Sequence, residues 1–256
     1  MSEKMTRRDF LARWAAAAFG AVVVVGGAGQ GMAQLLPGPL GEIGSYDARK
    51  HLYTMLIDVR KCIGCGSCVR ACALENNVPA NCFRTWIERY TVYADGRVRV
   101  DSPDGGRRSF APLPDEKEAT KSFFVPKLCN HCAATPCVQL CPVGASYRTA
   151  DGVVLVDEQR CIGCGYCVQA CPYGSRFLHP ETHVASKCTL CYHRITKGLL
   201  PACVQACPTG ARKFGDLMDP KDEVAHLLAT EEVHVLKPDL LTEPSVNYLG
   251  LSKEVV

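Results

Sequence analysis

Sixteen of the seventeen cysteines in this 256-residue chain fall into four groups of four: Cys62, Cys65, Cys68 and Cys72; Cys129, Cys132, Cys137 and Cys141; Cys161, Cys164, Cys167 and Cys171; Cys188, Cys191, Cys203 and Cys207. Three of the groups end in Cys-Pro. A [4Fe-4S] cube needs four soft sulfur ligands, and Cys-x2-Cys-x2-Cys lets one tight loop cover three of its corners. The fourth cysteine, usually before proline, ligates the other cube of a two-cube pair. Four quartets therefore imply four [4Fe-4S] clusters, with all sixteen cysteines as iron ligands. Zinc expects two Cys-x2-Cys hooks per ion and would leave the third and fourth cysteines of each group without a role. Disulfides suit exported proteins, but an odd count and four alike quartets argue against them.

The quartets repeat internally. CIGCGSCVRAC at 62–72 matches CIGCGYCVQAC at 161–171 in nine of eleven positions, and CVQLCPVGA at 137–145 matches CVQACPTGA at 203–211 in seven of nine. The fold class is therefore α+β, a duplicated two-cluster ferredoxin. A compact two-cluster ferredoxin joins its motifs by a short hairpin. Only the linker from Cys141 to Cys161 reads that way, with a turn at Asp151-Gly152 and a strand over Val153 to Val156. Groups two and three then form an inner unit, 126–179. By elimination, groups one and four form an outer unit from 50–81 and 180–216. Ligand exchange within each unit gives four sets: Cys62, Cys65 and Cys68 with Cys207; Cys188, Cys191 and Cys203 with Cys72; Cys129, Cys132 and Cys137 with Cys171; Cys161, Cys164 and Cys167 with Cys141.

Other elements surround these loops. An inserted segment, 82–125, reads as a β-hairpin: Arg84 to Tyr93 is rich in aromatic and β-branched residues, Asp95-Gly96 turns, and Arg97 to Val100 alternates again. Ser102 to Lys121 reads as a solvated or partner-facing loop. In the C-terminal extension, 217–256, Asp219 is expected to cap a helix with Pro220 at its first position, running to about Ala229. Residues 231–256 are too sparse in apolar periodicity to pack alone and are expected to lie along a partner.

At the N-terminus, Thr6-Arg7-Arg8-Asp9-Phe10-Leu11 precedes an apolar run from Trp14 to Val25, and Gly31-Met32-Ala33 offers small residues for cleavage. Residues 1–33 thus read as a twin-arginine signal peptide, which directs the protein to the periplasm or the outer face of the cytoplasmic membrane. The run is shorter than the ~20 residues of a membrane span. Cleavage and retention as an anchor are both left open. Because that route carries folded proteins, clusters inserted in the cytoplasm would escape oxidation of their thiols outside it. The formal charge of +3 is concentrated in this segment, so nothing calls for nucleic acid. There is no nucleophile with a base, no paired carboxylates and no phosphate-cradling glycine loop outside the signal segment. The chain reads as a non-catalytic electron carrier that leaves bond chemistry to a partner.

Over roughly 50–216 the chain resembles the four-cluster iron-sulfur subunits of membrane-linked molybdenum reductases, of the dimethyl sulfoxide, polysulfide and tetrathionate reductase type. Besides the quartets, the resemblance rests on Glu75-Asn76-Asn77-Val78-Pro79 with Arg84-Thr85, on Cys129-Asn130-His131-Cys132, and on Cys191-x2-Arg194 leading through Gly198 and Pro201 to Cys203. It implies a relay in anaerobic respiration between a polytopic, quinone-interacting membrane subunit and a molybdopterin-bearing oxidoreductase, with membrane association through partners. The alternatives are a freely diffusing periplasmic polyferredoxin and a subunit of a non-molybdenum cytochrome-linked membrane complex.

Some residues stand outside the ligand sets. Cys82 reads as an ordinary thiol. His131 reads as a hydrogen-bonding residue that holds its loop. Lys61, Lys187, Arg194 and Lys197 either raise cluster potentials or form a solvated basic face.

Overall fold

The computed structural model describes residues 46–255, so residues 1–33, expected to be a signal peptide, lie outside the described residues. Strand β1 (Tyr53–Asp58) is buried along its whole length, as an apolar run in the middle of a sheet should be. It leads directly into the first cysteine group. Helix α1 (Ser67–Glu75) carries Cys68 and Cys72. Strands β2 (Thr85–Tyr93), β3 (Val98–Asp101) and β4 (Ala119–Leu128) form a three-stranded antiparallel sheet in the order β3-β2-β4.

β2 pairs with β3 and, along its full length, with β4. The segment expected to be a loop up to Lys121 therefore ends as a strand that runs on to Leu128 and delivers Cys129. Tyr90, Val125 and Leu128 are buried on this sheet, which is why β4 is ordered. Cross-strand pairing with β2 compensates for the charged residues at its outer end.

The remaining cysteine groups alternate one-turn helices with short strands. Helix α2 (Pro136–Gln139) is followed by β5 (Ser146–Arg148) and β6 (Val154–Val156), an antiparallel hairpin. Helix α3 (Tyr166–Gln169) is followed by β7 (Arg176–Leu178) and β8 (Ala185–Lys187), a second hairpin of the same kind. The expectation that only the linker between groups two and three is a hairpin is thus corrected. The second one gives no turn signal because it lacks Asn-Gly or Asp-Gly; His183 takes the left-handed conformation there, with φ +57°.

Helices α4 (Tyr192–Ile195) and α5 (Ala202–Gln205) lead to β9 (Arg212–Asp216). β9 pairs antiparallel with β1, Tyr53 opposite Asp216 and Ile57 opposite Arg212. This closure brings the strand before group one against the strand after group four. The same relation holds inside the chain, where β5 follows group two and pairs with β6, which precedes group three. Correspondingly, α1 packs against α5 and α2 against α3.

Two expectations for the extension are corrected. Helix α6 spans Glu223–Thr230 and is capped by Asp222, whose carboxylate accepts from the Val224 and Ala225 amides at 2.7 and 3.2 Å. Asp219-Pro220 forms the preceding turn, in which the Asp222 amide donates to the Asp219 carbonyl. Nor does the tail lie free for a partner. After β10 (Val233–His234), β11 (Val246–Leu249) enters the four-stranded sheet β10-β11-β1-β9, parallel to β1. Val246, Tyr248 and Leu249 are buried in the core. Four residues leave too little sequence for a periodic signal, yet they suffice to cover β1.

Candidate metal centres

In α1, α2, α3 and α5 the third cysteine of each group, Cys68, Cys137, Cys167 and Cys203, is the second helical residue, and all four are buried. After the fourth cysteine, groups two, three and four make the same turn. Gly144, Gly174 and Gly210 donate their amides to the carbonyls of Cys141, Cys171 and Cys207, each with φ near +63°. Proline stops the helix and glycine takes the left-handed bend. Group one has neither, and α1 runs on to Glu75.

The residue before the second cysteine also needs a positive φ. Gly64 and Gly163 supply it at +68° and +69°; His131 and Leu190 take it at +45° and +52°. For these two larger side chains the conformation costs roughly 1–2 kcal/mol each, so the loops of groups two and four depend on outside support. His131 shows where it comes from. Its Nδ1 accepts from the Val154 amide at 3.0 Å, and its carbonyl accepts from the Ser245 hydroxyl at 3.0 Å. Burial, then the positive charges of Lys187 and Arg176, push its imidazole well below the ordinary histidine range and keep it neutral.

The thiols gather across groups. Cys62, Cys65, Cys68 and Cys207 line one cavity. Cys72, Cys188, Cys191 and Cys203 line a second. Cys132 faces Cys129, Cys137 and Cys171. Cys161 and Cys167 pack in one apolar cluster with Cys137 and Val154. The Cys161 thiol accepts from the Ala185 amide at 3.4 Å, and Cys141 from the Ser146 amide at 3.4 Å. No group of three or more His, Cys, Asp or Glu side chains among the described residues converges on a single metal ion.

Burial pushes the Cys72 thiol up to about 12, and those of Cys62, Cys132 and Cys203 up to about 11. Without a metal such thiols would stay protonated in a dry interior; a coordinating thiol is deprotonated outright. Cys141 and Cys207 differ. Burial acts on them too, but backbone amides of the Cys-Pro turns outweigh it and hold both thiols below the usual value. The orphaned donors nearby fit the same groups. Nε and Nη2 of Arg176, and Nε and Nη1 of Arg212, are buried with no hydrogen-bond partner. Both guanidiniums face thiols: Arg176 those of Cys137, Cys129 and Cys167, Arg212 those of Cys68, Cys203 and Cys62. Anionic thiolate-ligated clusters bound there would satisfy these charges.

Arg176 and Arg212 were not singled out from the sequence, although a signal existed. Both stand five residues after a fourth cysteine, in Cys-Pro-x-Gly-x-Arg, where group two has Ser146. Of the four cations that were singled out, Lys187 is fully buried, which rules out a solvated face for it. Lys61 is exposed and lies 3.8 Å from Asp58, Arg194 pairs with Glu75 at 2.8 Å, and Lys197 is exposed. Cys82 is partly buried and stands apart from the quartets in sequence.

The repeated cysteine turns and their thiol pockets define an iron-sulfur protein of the duplicated ferredoxin class. Two segments, 61–145 and 120–217, match the family described as 4Fe-4S dicluster domain. The chain is 45% identical over 209 residues to the tetrathionate reductase B-subunit of Salmonella typhimurium, covering 81% of this chain and 76% of that one. It is 47% identical over 200 residues to the corresponding tetrathionate reductase protein of Archaeoglobus fulgidus, covering 78% and 83%. It is 40% identical over 183 residues to the thiosulfate reductase electron transfer subunit PhsB of Salmonella typhi, covering 71% and 84%. The chain belongs to this family of iron-sulfur electron-transfer subunits and carries four [4Fe-4S] clusters.

Proposed function

We propose that this chain is the exported relay of a quinone-linked respiratory reductase, passing electrons between a polytopic membrane subunit and a molybdopterin-bearing oxidoreductase. The four ligand sets of the proposal are Cys62, Cys65, Cys68 and Cys207; Cys72, Cys188, Cys191 and Cys203; Cys129, Cys132, Cys137 and Cys171; and Cys141, Cys161, Cys164 and Cys167. Each bound cluster supplies one-electron storage.

One observation carries the reading. Neighbouring thiols order the sets in a row: Cys68 lies by Cys203, Cys188 by Cys129, and Arg176 faces both Cys137 and Cys167. Only two of the sixteen cysteines are exposed, Cys65 in the first set and Cys164 in the last. Each has exposed apolar neighbours, Ile63 and Ile162, at 60% and 65% exposure. Buried thiols keep water from the middle of the row, while each terminal set presents one edge to a partner. A freely diffusing carrier would need only one such edge.

Export by the twin-arginine segment belongs to the same reading and supplies its location on the outer face of the membrane. The test is purification of the tagged full chain from its own membranes in mild detergent. A multispanning subunit and a molybdopterin protein are expected to co-purify, each cross-linking to residues near one exposed cysteine. A monomer without either partner would replace the relay by the diffusing carrier.

A further inference from the structure

Three buried cations occupy the places where successive thiol sets meet. Arg212, 2% exposed, faces Cys68 and Cys203, which belong to different sets. Lys187, also 2% exposed, faces Cys129 and Cys188, again from different sets. Arg176, 4% exposed, faces Cys137 and Cys129 on one side and Cys167 on the other. Neutral groups hold all three. Arg212 donates to the Thr85 hydroxyl at 2.7 Å and Arg176 to the Ser146 hydroxyl at 2.9 Å. The Lys187 ammonium donates to the carbonyls of Val154 and Cys188.

Two further cations with buried charge, Arg89 and Lys127, have carboxylates for partners, Asp101 and Glu88. Among the described residues no carboxylate pairs with Arg176, Lys187 or Arg212. An uncompensated charge in a dry interior is strongly unfavourable. A cation that served only to balance one cluster could sit anywhere against it. These three instead each stand between two sets, and there is one for every junction in the row.

We propose that Arg212, Lys187 and Arg176 are positioning residues for electron transfer, each raising the potentials of both flanking clusters and offsetting the repulsion between them. The proposal rests on the ligand sets given above. One electron crossing a junction reduces one side by one and oxidises the other by one, moves no proton, and leaves the cation's charge unchanged. Because the cation is near both sides, it stabilises the electron before and after the transfer alike. It therefore levels the row rather than creating a trap at one site.

The test is an EPR-monitored redox titration of the cluster-loaded full chain carrying Arg212→Gln, Lys187→Met or Arg176→Gln. Each neutralisation should lower both flanking potentials by about tenfold in the reduced-to-oxidised ratio, which is ~59 mV for one electron, and leave the two remote potentials in place. A change in one flanking cluster alone, in all four equally, or in none overturns the proposal. Should an arginine variant lose iron, Arg212→Lys and Arg176→Lys decide. Full iron with parental potentials supports a role for charge; loss of iron, or lowered flanking potentials despite the retained charge, overturns it. The ligand sets are mapped separately by cysteine-to-serine variants, so an error in the sets appears there and not as a missing shift.

Discussion

Ser245 ties the C-terminal tail to the loop of group two, and removing its hydroxyl gives a direct test of how the clusters are kept in place. Its amide donates to the Asn130 carbonyl at 2.8 Å and its hydroxyl to the His131 carbonyl at 3.0 Å, while its own carbonyl accepts from the Met55 amide at 3.0 Å. The neighbouring tail adds two bonds to the same loop, from the Ala133 amide to the Glu243 carbonyl at 2.9 Å and from the Ala134 amide to the Thr242 carbonyl at 3.2 Å. Ser245→Ala removes one of four links and is expected to cost about 1 kcal/mol. Deleting residues 242–256 removes all four, about 2–6 kcal/mol. It also removes the buried side chains of Val246, Tyr248 and Leu249, roughly 1.5–3 kcal/mol each. The sum equals the whole stability of an ordinary domain, about 5–15 kcal/mol, so the truncated chain should not accumulate.

The point variant should fold and lose its clusters unevenly. Incubated with an iron chelator and followed by visible absorbance and by the EPR signal of each cluster, it should release the cluster at the group two loop roughly fivefold faster than the parent, the ratio that about 1 kcal/mol supplies. The other three should leave at parental rates. Equal acceleration of all four, or none at this loop, would refute the argument that the tail supports the strained His131 turn.

Cys207→Ser should perturb the cluster held by Cys62, Cys65 and Cys68, lowering its potential or leaving a three-iron form, because serine replaces a soft thiolate with a harder oxygen. EPR changes instead at the cluster of Cys161, Cys164 and Cys167, within the Cys129 to Cys171 unit, would show that the groups pair sequentially. Glu88 accepts from Trp86 and Tyr90 and pairs with Lys127 at 2.7 Å; burial raises its carboxyl, but these partners outweigh it and hold it below the ordinary 4.5. With the folded value depressed, the stabilisation is complete above pH 4.5 and vanishes as pH falls through the folded value. Glu88→Gln, which removes the carboxylate that pairs with Lys127, should therefore lower the denaturation midpoint at pH 7 and lower it progressively less below pH 4.5. Arg7→Lys with Arg8→Lys should leave a cluster-loaded precursor in the cytoplasm, since the pair is read by a receptor and not by charge alone; fractionation that finds the double variant outside the membrane would remove the export reading.

The thiol chemistry was legible because ligand identity is local: Cys-x2-Cys-x2-Cys states its use in seven residues. The Cys-Pro turns were legible for the same reason, proline and glycine each acting on one backbone position. What the sequence left obscure depends on partners far along the chain. β11 packs because β1, about 190 residues earlier, needs a neighbour, and nothing in Val246 to Leu249 by itself announces that. The helix cap moved from Asp219 to Asp222 because the Asp222 carboxylate also receives the Asp216 amide at 3.0 Å, a contact set by the end of β9. Lys187 reads either as a cation that raises cluster potentials or as part of a solvated basic face, and only its burial, set by the packing of β8, removes the second reading.

The proposed pairing of the cysteine groups does not rest on the hairpins. A hairpin joins groups two and three, but another joins groups three and four, so hairpins alone select no partner. The selection comes from closure. β1 and β9 pair antiparallel, and this forces Cys62, four residues beyond β1, and Cys207, five residues before β9, to the same end of the sheet. Once those ends meet, α1 and α5 pack together and the thiols of groups one and four share two cavities. Groups two and three are then left to each other, with α2 against α3. A chain of this kind assembles its outer thiol pockets only after both ends of the sequence are present. The proposed sets imply that cluster insertion there follows the pairing of β1 with β9, whereas the inner loops are brought together by the local hairpin β5–β6. Full-length chains carrying Lys213→Pro, which breaks the β1–β9 ladder opposite Leu56, should accordingly retain iron at the inner sets and lack it at the outer ones. Iron bound at Cys62, Cys65 and Cys68 in such a chain would show that the outer pocket forms without its closing strand.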